Sequence, residues 1–132
     1  MSHSKYSILI VENDCHVSRV VHSHLEKAFP NVRVEIAGSS GRAKQICEKF
    51  PPSFIIWDGA AGANGQKDEY VHCIPDALWS RVIPISNDNS LVEIAKGKGA
   101  HAPIPKADQG VNSWSEKVVE YLRPLMPHSK KH

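Results

Sequence analysis

Six side chains in this chain could act together on a charged substrate. Glu12, Asn13 and Asp14 come in succession after one apolar run, Asp58 ends another, and Ser86 and Lys106 each follow a further one. Carboxylates crowded at one place repel each other unless a cation neutralises them, and a hard, oxygen-rich cluster suits Mg²⁺. A lysine and a hydroxyl aimed at the same spot would hold phosphoryl oxygens from the other side. In that setting Asp58 becomes a nucleophile toward phosphorus. The plain alternative is that an aspartate after a strand only forms a turn or caps a helix.

The elements that must position these groups can be read from hydrophobic periodicity. Tyr6 to Val11 and Phe54 to Trp57 are short, nearly continuous apolar runs, the pattern of strands covered on both faces. Val32, Val34 and Ile36 alternate with Arg33 and Glu35, as in a half-exposed strand near a sheet edge. Val82 to Ile85 is a fourth strand, and His101 to Ile104 a poor fifth, placed at an edge by Pro103 and Pro105. Between the strands, Val17, Val20, Val21, Leu25 and Ala28 predict a first helix from Cys15 to Phe29, and Ala43, Ile46, Cys47 and Phe50 a second, capped by Ser39 or Ser40. A third helix is predicted over about Gln66 to Ala77, interrupted by Pro75. A fourth presents Leu91, Ile94 and Ala95 before Gly97 and Gly99, and a fifth presents Trp114, Val118, Tyr121 or Leu122, and Leu125. Five alternations of strand and helix predict an α/β fold with a parallel sheet between two helical layers, joined by right-handed crossovers. Residues just past each strand then converge on the carboxyl edge of the sheet, where Glu12, Asn13, Asp14, Asp58, Ser86 and Lys106 would meet.

Composition narrows the function classes. The 132 residues suit one domain, 1–132, with a core over about 6–124 and a polar tail over 127–132. A net charge of +2 with scattered Lys and Arg gives no nucleic-acid footprint. No apolar run is long enough to cross a bilayer and the start does not read as a signal peptide, so a cytoplasmic location is expected. Cys15, Cys47 and Cys73 form no C-x-x-C pair and read as small buried hydrophobes, while His22 and His24, two apart on a helix, point to different sides. Trp57 and Trp79 read as core aromatics, and Trp114 as a residue that could sit at an interface.

With these residues in view, the sequence resembles the receiver domain of two-component response regulators, among them single-domain members similar to the chemotaxis regulator. The signs are the acidic cluster after Ile8-Leu9-Ile10-Val11, the strand ending at Asp58, Asn64-Gly65 six and seven residues beyond it, Ser86, Gly99-Ala100, and Lys106. The resemblance implies a flavodoxin-like (βα)5 three-layer sandwich with a five-stranded parallel sheet of order 2-1-3-4-5. It implies a signalling protein rather than an enzyme, in which Asp58 accepts a phosphoryl group from a sensor histidine kinase or phosphotransfer protein. Ser86 would contact that group and Lys106 would pair with it. Mg²⁺ would be held by Glu12, Asn13, Asp58 and the backbone carbonyl of Ala60, with Asp14 as a further candidate. The output would be contact with a downstream protein target, and copies would pair through the fourth helix, fifth strand and fifth helix.

The sequence departs from the family at several places. Asn13 stands where a second acid is usual, which should lower metal affinity, and Pro103 stands where a rotating aromatic is usual. Ala107 replaces the proline that usually follows the lysine, and Gly59-Ala60-Ala61-Gly62-Ala63 is unusually small. These departures motivate a second reading, a degenerate receiver that binds a protein partner without phosphorylation. A third, a flavodoxin-like enzyme or nucleotide binder, is disfavoured because Gly59 to Gly65 matches neither phosphate-binding glycine motif. A DNA-binding regulator is not expected, since the residues after Pro127 in this sequence are too few for an output domain.

Overall fold

The computed structural model describes residues 6–58, 71–85, 89–106 and 110–126. Four parallel strands, β1 (Ser7–Val11), β2 (Arg33–Ala37), β3 (Phe54–Asp58) and β4 (Val82–Ile85), form a sheet of order β2-β1-β3-β4. The helices bounded within the described residues are α1 (Cys15–Ala28), α2 (Ser40–Lys49), α3 (Asn89–Gly97) and α4 (Val111–Leu122), with short 3-10 helices at Asp76–Arg81 and Arg123–Leu125. Here α3 and α4 are the fourth and fifth helices expected from the sequence.

Side chains on the strands alternate between two cores, as the period of two requires. Ile8, Ile10, Ile56, Ile83 and Ile85 pack with Val21 and Leu25 of α1 and with Trp114, Val118 and Leu122 of α4. Leu9, Val11, Ile55, Trp57 and Val82 face the other way, onto Ala43, Ile46 and Cys47 of α2, Leu78, Trp79 and Ala95 of α3. Trp57 and Trp79 meet edge to face at 5.3 Å between ring centres, as core aromatics. Three layers result.

The helix starts follow local chemistry. Asp14 caps α1, its Oδ1 accepting from the backbone N–H of His16 and Val17, and Ser39 caps α2 through the N–H of Arg42. At the end of α3, Gly99 takes φ +93°, its N–H bonds the Lys96 carbonyl, and the N–H of Ala100 reaches Ala95. This is a Schellman ending, which needs a left-handed residue. A Cβ on Gly99 would meet nothing within 4 Å, so Gly99→Ala should cost only the backbone penalty, about 1–2 kcal/mol. Denaturant unfolding that matched the wild type would contradict this.

Four expectations need correction. The sheet contains four strands among the described residues, and the fifth is reduced to a single parallel bridge, Ile85 to Ile104. The N–H groups of His101 and Ile104 bond the carbonyls of Val82 and Pro84, but Pro103 and Pro105 have no N–H to extend the ladder. Of the predicted third helix, Val71 and His72 are helical, and Pro75 in extended geometry then starts a 3-10 helix, so the helix does not reach Ala77; residues 66–70 lie outside the described residues. Ile94 is exposed rather than in the core stripe, because Ala95 takes the inward position on α3. Cys15 is exposed in the first turn of α1, unlike Cys47 and Cys73, whose thiols burial pushes up to about 11 and about 12.

At the sheet edges, β2 bonds only β1 among the described strands. Arg33 and Ala37 direct their backbone groups to the β1 side, so Val34 faces outward, and its carbonyl accepts from Nε2 of His22 at 3.2 Å. His24 instead meets Oδ1 of Asn112 at 2.9 Å.

Candidate functional site

The register of the sheet assembles the site. Val11 lies opposite Trp57, so the next residues, Glu12 and Asp58, fall side by side at the carboxyl edge. The Glu12 N–H bonds the Ala37 carbonyl at 3.1 Å, which continues the β1–β2 ladder one residue and fixes the glutamate's direction. Asp58 lies opposite Ile85, and Ile85 bridges Ile104, two residues before Lys106. A short strand end on each side of Asp58 therefore delivers one charged side chain to it.

Glu12 and Asp58 are 5% and 3% exposed. The Lys106 ammonium donates to Oδ2 of Asp58 at 2.7 Å, a charge-assisted bond of ideal length. Behind it, the face of the Trp114 ring lies 5.5 Å from Nζ, within cation–π range. The Asp14 N–H donates to Oε2 of Glu12 at 3.0 Å, whereas among the described residues no N–H or O–H donates to the buried Oε1, which as a protonated oxygen could itself donate to Asp58.

Two buried carboxyls side by side with one ammonium leave negative charge uncompensated. The pair responds by holding a proton: the Glu12 carboxyl is pushed up to about 8. Burial contributes most, followed by a hydrogen bond to Asp58 and the charge of Asp58; the Asp14 N–H and the charge of Lys106 oppose the rise. A neutral Glu12 can supply a hydrogen bond to Asp58 that two carboxylates could not make.

A divalent cation could take the place of that proton. Two buried carboxylates, one oxygen of which accepts no hydrogen bond among the described residues, suit a hard cation, and Mg²⁺ commonly binds through one or two carboxylates while keeping several waters. Among the described residues no group of three or more His, Cys, Asp or Glu side chains could hold a metal ion, so water and other oxygens would fill the shell. Asn13 and Asp14 are exposed, and Oδ1 of Asp14 is engaged in capping α1.

Of the residues singled out in the sequence, Glu12, Asp58 and Lys106 come together, Asn13 and Asp14 adjoin them, and Ser86 and Ala60 lie outside the described residues. Trp114, which belongs to the apolar stripe of the last helix and could also have sat at an interface, is buried in the core beside Lys106. Nothing in hydrophobic patterning marks that contact. Asp14, read from the sequence as part of the acidic cluster, caps α1 from the position immediately before its first residue.

No protein-family model matches the chain, and no curated protein matches its sequence. Solved structures do. The response regulator domain of Thermotoga maritima CheB is similar at 17% identity and a TM-score of 0.69, covering 90% of this chain and 94% of that one. A response regulator from Colwellia psychrerythraea matches at 19% identity and a TM-score of 0.65, covering 92% and 97%. The signal receiver domain of a DNA-binding response regulator, merR, from Colwellia psychrerythraea 34H matches at 17% identity and 0.61, covering 89% and 98%. At such identities the likeness is one of fold, and it runs through nearly the whole chain: this is the receiver-domain fold of the response regulators.

Proposed function

We propose that this chain is a receiver in two-component signalling and that Asp58 is its phosphoacceptor. The observation that carries the reading is the buried Asp58 carboxylate with the Lys106 ammonium 2.7 Å from one oxygen and the Glu12 carboxyl beside it. In the proposed reaction an Asp58 oxygen forms a bond to phosphorus as the phosphorus–nitrogen bond of a donor phosphohistidine breaks and the imidazole takes up a proton. Lys106 binds the transferred group through its charge and holds the aspartate in a single orientation. Glu12 and Asp58, with Asn13 and the Ala60 carbonyl, would hold Mg²⁺, which supplies neutralising charge to the phosphoryl oxygens. Ser86 would contact the same group.

The donor is a sensor histidine kinase or a phosphotransfer protein, and the output is contact with a downstream protein. Pairing of copies across the edge beyond β4 would use side chains, since the prolines at 103 and 105 interrupt the backbone donors there. The test is incubation with a small acyl phosphate and Mg²⁺, followed by intact mass. The wild type should gain one phosphoryl adduct that Asp58→Ala abolishes. A wild type that gains none, or an adduct that survives the substitution, removes Asp58 from this role; the first result would leave a receiver fold that binds its partner unphosphorylated.

A further inference from the structure

Two of the groups beside Lys106 differ in kind. Its ammonium donates to Asp58 at 2.7 Å and lies 5.5 Å from the centre of the Trp114 ring. The lysine side chain is 24% exposed, so on its open side water competes for the charge. Trp114 is 4% exposed and is clamped in the core with Ile85, Ile104 and Val118. Its backbone belongs to the first turn of α4, where the N–H groups of Ser113 and Trp114 both turn back to the Gly110 carbonyl and no side chain caps the helix.

A long flexible side chain loses much rotamer freedom when fixed at one point. A rigid aromatic face behind the ammonium reduces the positions open to Nζ while keeping its charge available to the carboxylate. Ile104 anchors the lysine's backbone by one bridge, flanked by Pro103 and Pro105, so the ladder does little to fix the residues around it. The ring supplies what a regular fifth strand would have supplied.

We propose that Trp114 is a positioning residue, which holds the Lys106 ammonium over Asp58 and passes a change of charge at Asp58 to the first turn of α4. The proposal deepens the reading of Asp58 as phosphoacceptor and rests on it for its biological use. A phosphoryl group on Asp58 adds charge and oxygen acceptors further from the sheet. Nζ then follows those oxygens, and the ring loses part of its cation contact. The response is local to α4 and requires no rotating aromatic at position 103.

The experiment uses the full chain labelled with 5-fluorotryptophan, with the Trp114 resonance assigned by Trp114→Phe. Asp58→Asn, which removes the carboxylate charge without any phosphoryl donor, should move the Trp114 fluorine resonance. In a Lys106→Met background the same Asp58→Asn change should leave it nearly still. A Trp114 resonance that Asp58→Asn does not move, or moves equally with and without Lys106, overturns the proposal whatever the protein does with a phosphoryl donor.

Adduct formation from a small acyl phosphate and Mg²⁺ gives the second measurement. Trp114→Leu should slow it by about threefold to tenfold, the range of one cation–π contact, and Trp114→Phe should restore most of the rate. Equal rates in the Leu and Phe variants would reduce Trp114 to a packing residue and also overturn the proposal. A wild type that takes no adduct refutes the phosphoacceptor reading instead, and the fluorine comparison still decides the link between Asp58, Lys106 and Trp114.

Discussion

In a chelator, the protein should lose stability steadily as pH rises from about 4.5 to about 8, and Glu12→Gln should remove most of that loss. The unfolded chain releases the Glu12 proton near the ordinary value of 4.5, whereas the folded chain keeps it to about 8. Between those values the folded state binds the extra proton, so each pH unit upward favours unfolding. The contribution of Glu12 is fully present below 4.5 and is gone above the folded value. At about 1.4 kcal/mol per unit the whole span is worth up to ~5 kcal/mol, enough to consume much of the stability of a small domain.

Glutamine keeps an oxygen for the Asp14 N–H and offers an amide donor toward Asp58, so it imitates the protonated acid at every pH. The Gln variant should match the wild type within about 1 kcal/mol near pH 5 and exceed it by several at pH 8.5. Urea midpoints across the pH series measure this directly, and parallel curves for the two proteins would show that Glu12 titrates normally. Excess Mg²⁺ at pH 8 should raise the wild type toward the variant, since a cation that binds only the folded protein stabilises it by mass action.

The second large effect is expected from Lys106→Met. The substitution keeps much of the apolar stem, so packing against Trp114 changes little, but it leaves Asp58 buried beside Glu12 without its 2.7 Å ammonium. Removing one partner of a buried ion pair is costly because the other charge stays desolvated. Lys106 is partly exposed, which lowers the figure, and ~2–3 kcal/mol at pH 8 is expected. At pH 5 the loss should shrink, because the Glu12 carboxyl is then protonated and no longer adds negative charge beside Asp58. Asp58→Asn should behave in the opposite sense: it removes the repulsion of Glu12, and it should leave the protein at least as stable as the wild type at pH 8. A lysine variant that is equally destabilised at both pH values would mean that its packing, not its charge, matters.

Much of this arrangement was legible in the sequence, for identifiable reasons. Strands buried on both faces write continuous apolar runs, so Ser7–Val11 and Phe54–Asp58 stood out, and the first polar residue after each run had to lie at the carboxyl edge of the sheet. The same rule, applied to the end of the fifth apolar run, puts Lys106 at that edge with Glu12 and Asp58. The fifth strand failed for the same physical reason that made it doubtful on composition, since alternate prolines remove the donors that a ladder needs. Ile94 and Ala95 show a different limit: helical periodicity tolerates a rotation of one residue, and only packing decides which of two neighbours turns inward.

The Trp114 contact could not be read at all. It joins an irregular segment to a helix across a gap in the regular structure, and no local pattern encodes how two such pieces meet. Nor could charge spacing alone tell whether Asp14 would serve the site or its helix; the N–H groups of His16 and Val17 decided that.

His22 reaches from α1 to the outermost strand, β2, and this bears on the protein in a crowded solution. A sheet's outermost strand is a template for adding a further strand from another molecule, and proteins suppress that route by blunting such edges. His22 occupies the outward carbonyl of Val34, while prolines interrupt the opposite margin. One outward carbonyl of β2, and the donors missing at positions 103 and 105, are thereby withdrawn from pairing with a strand of another molecule.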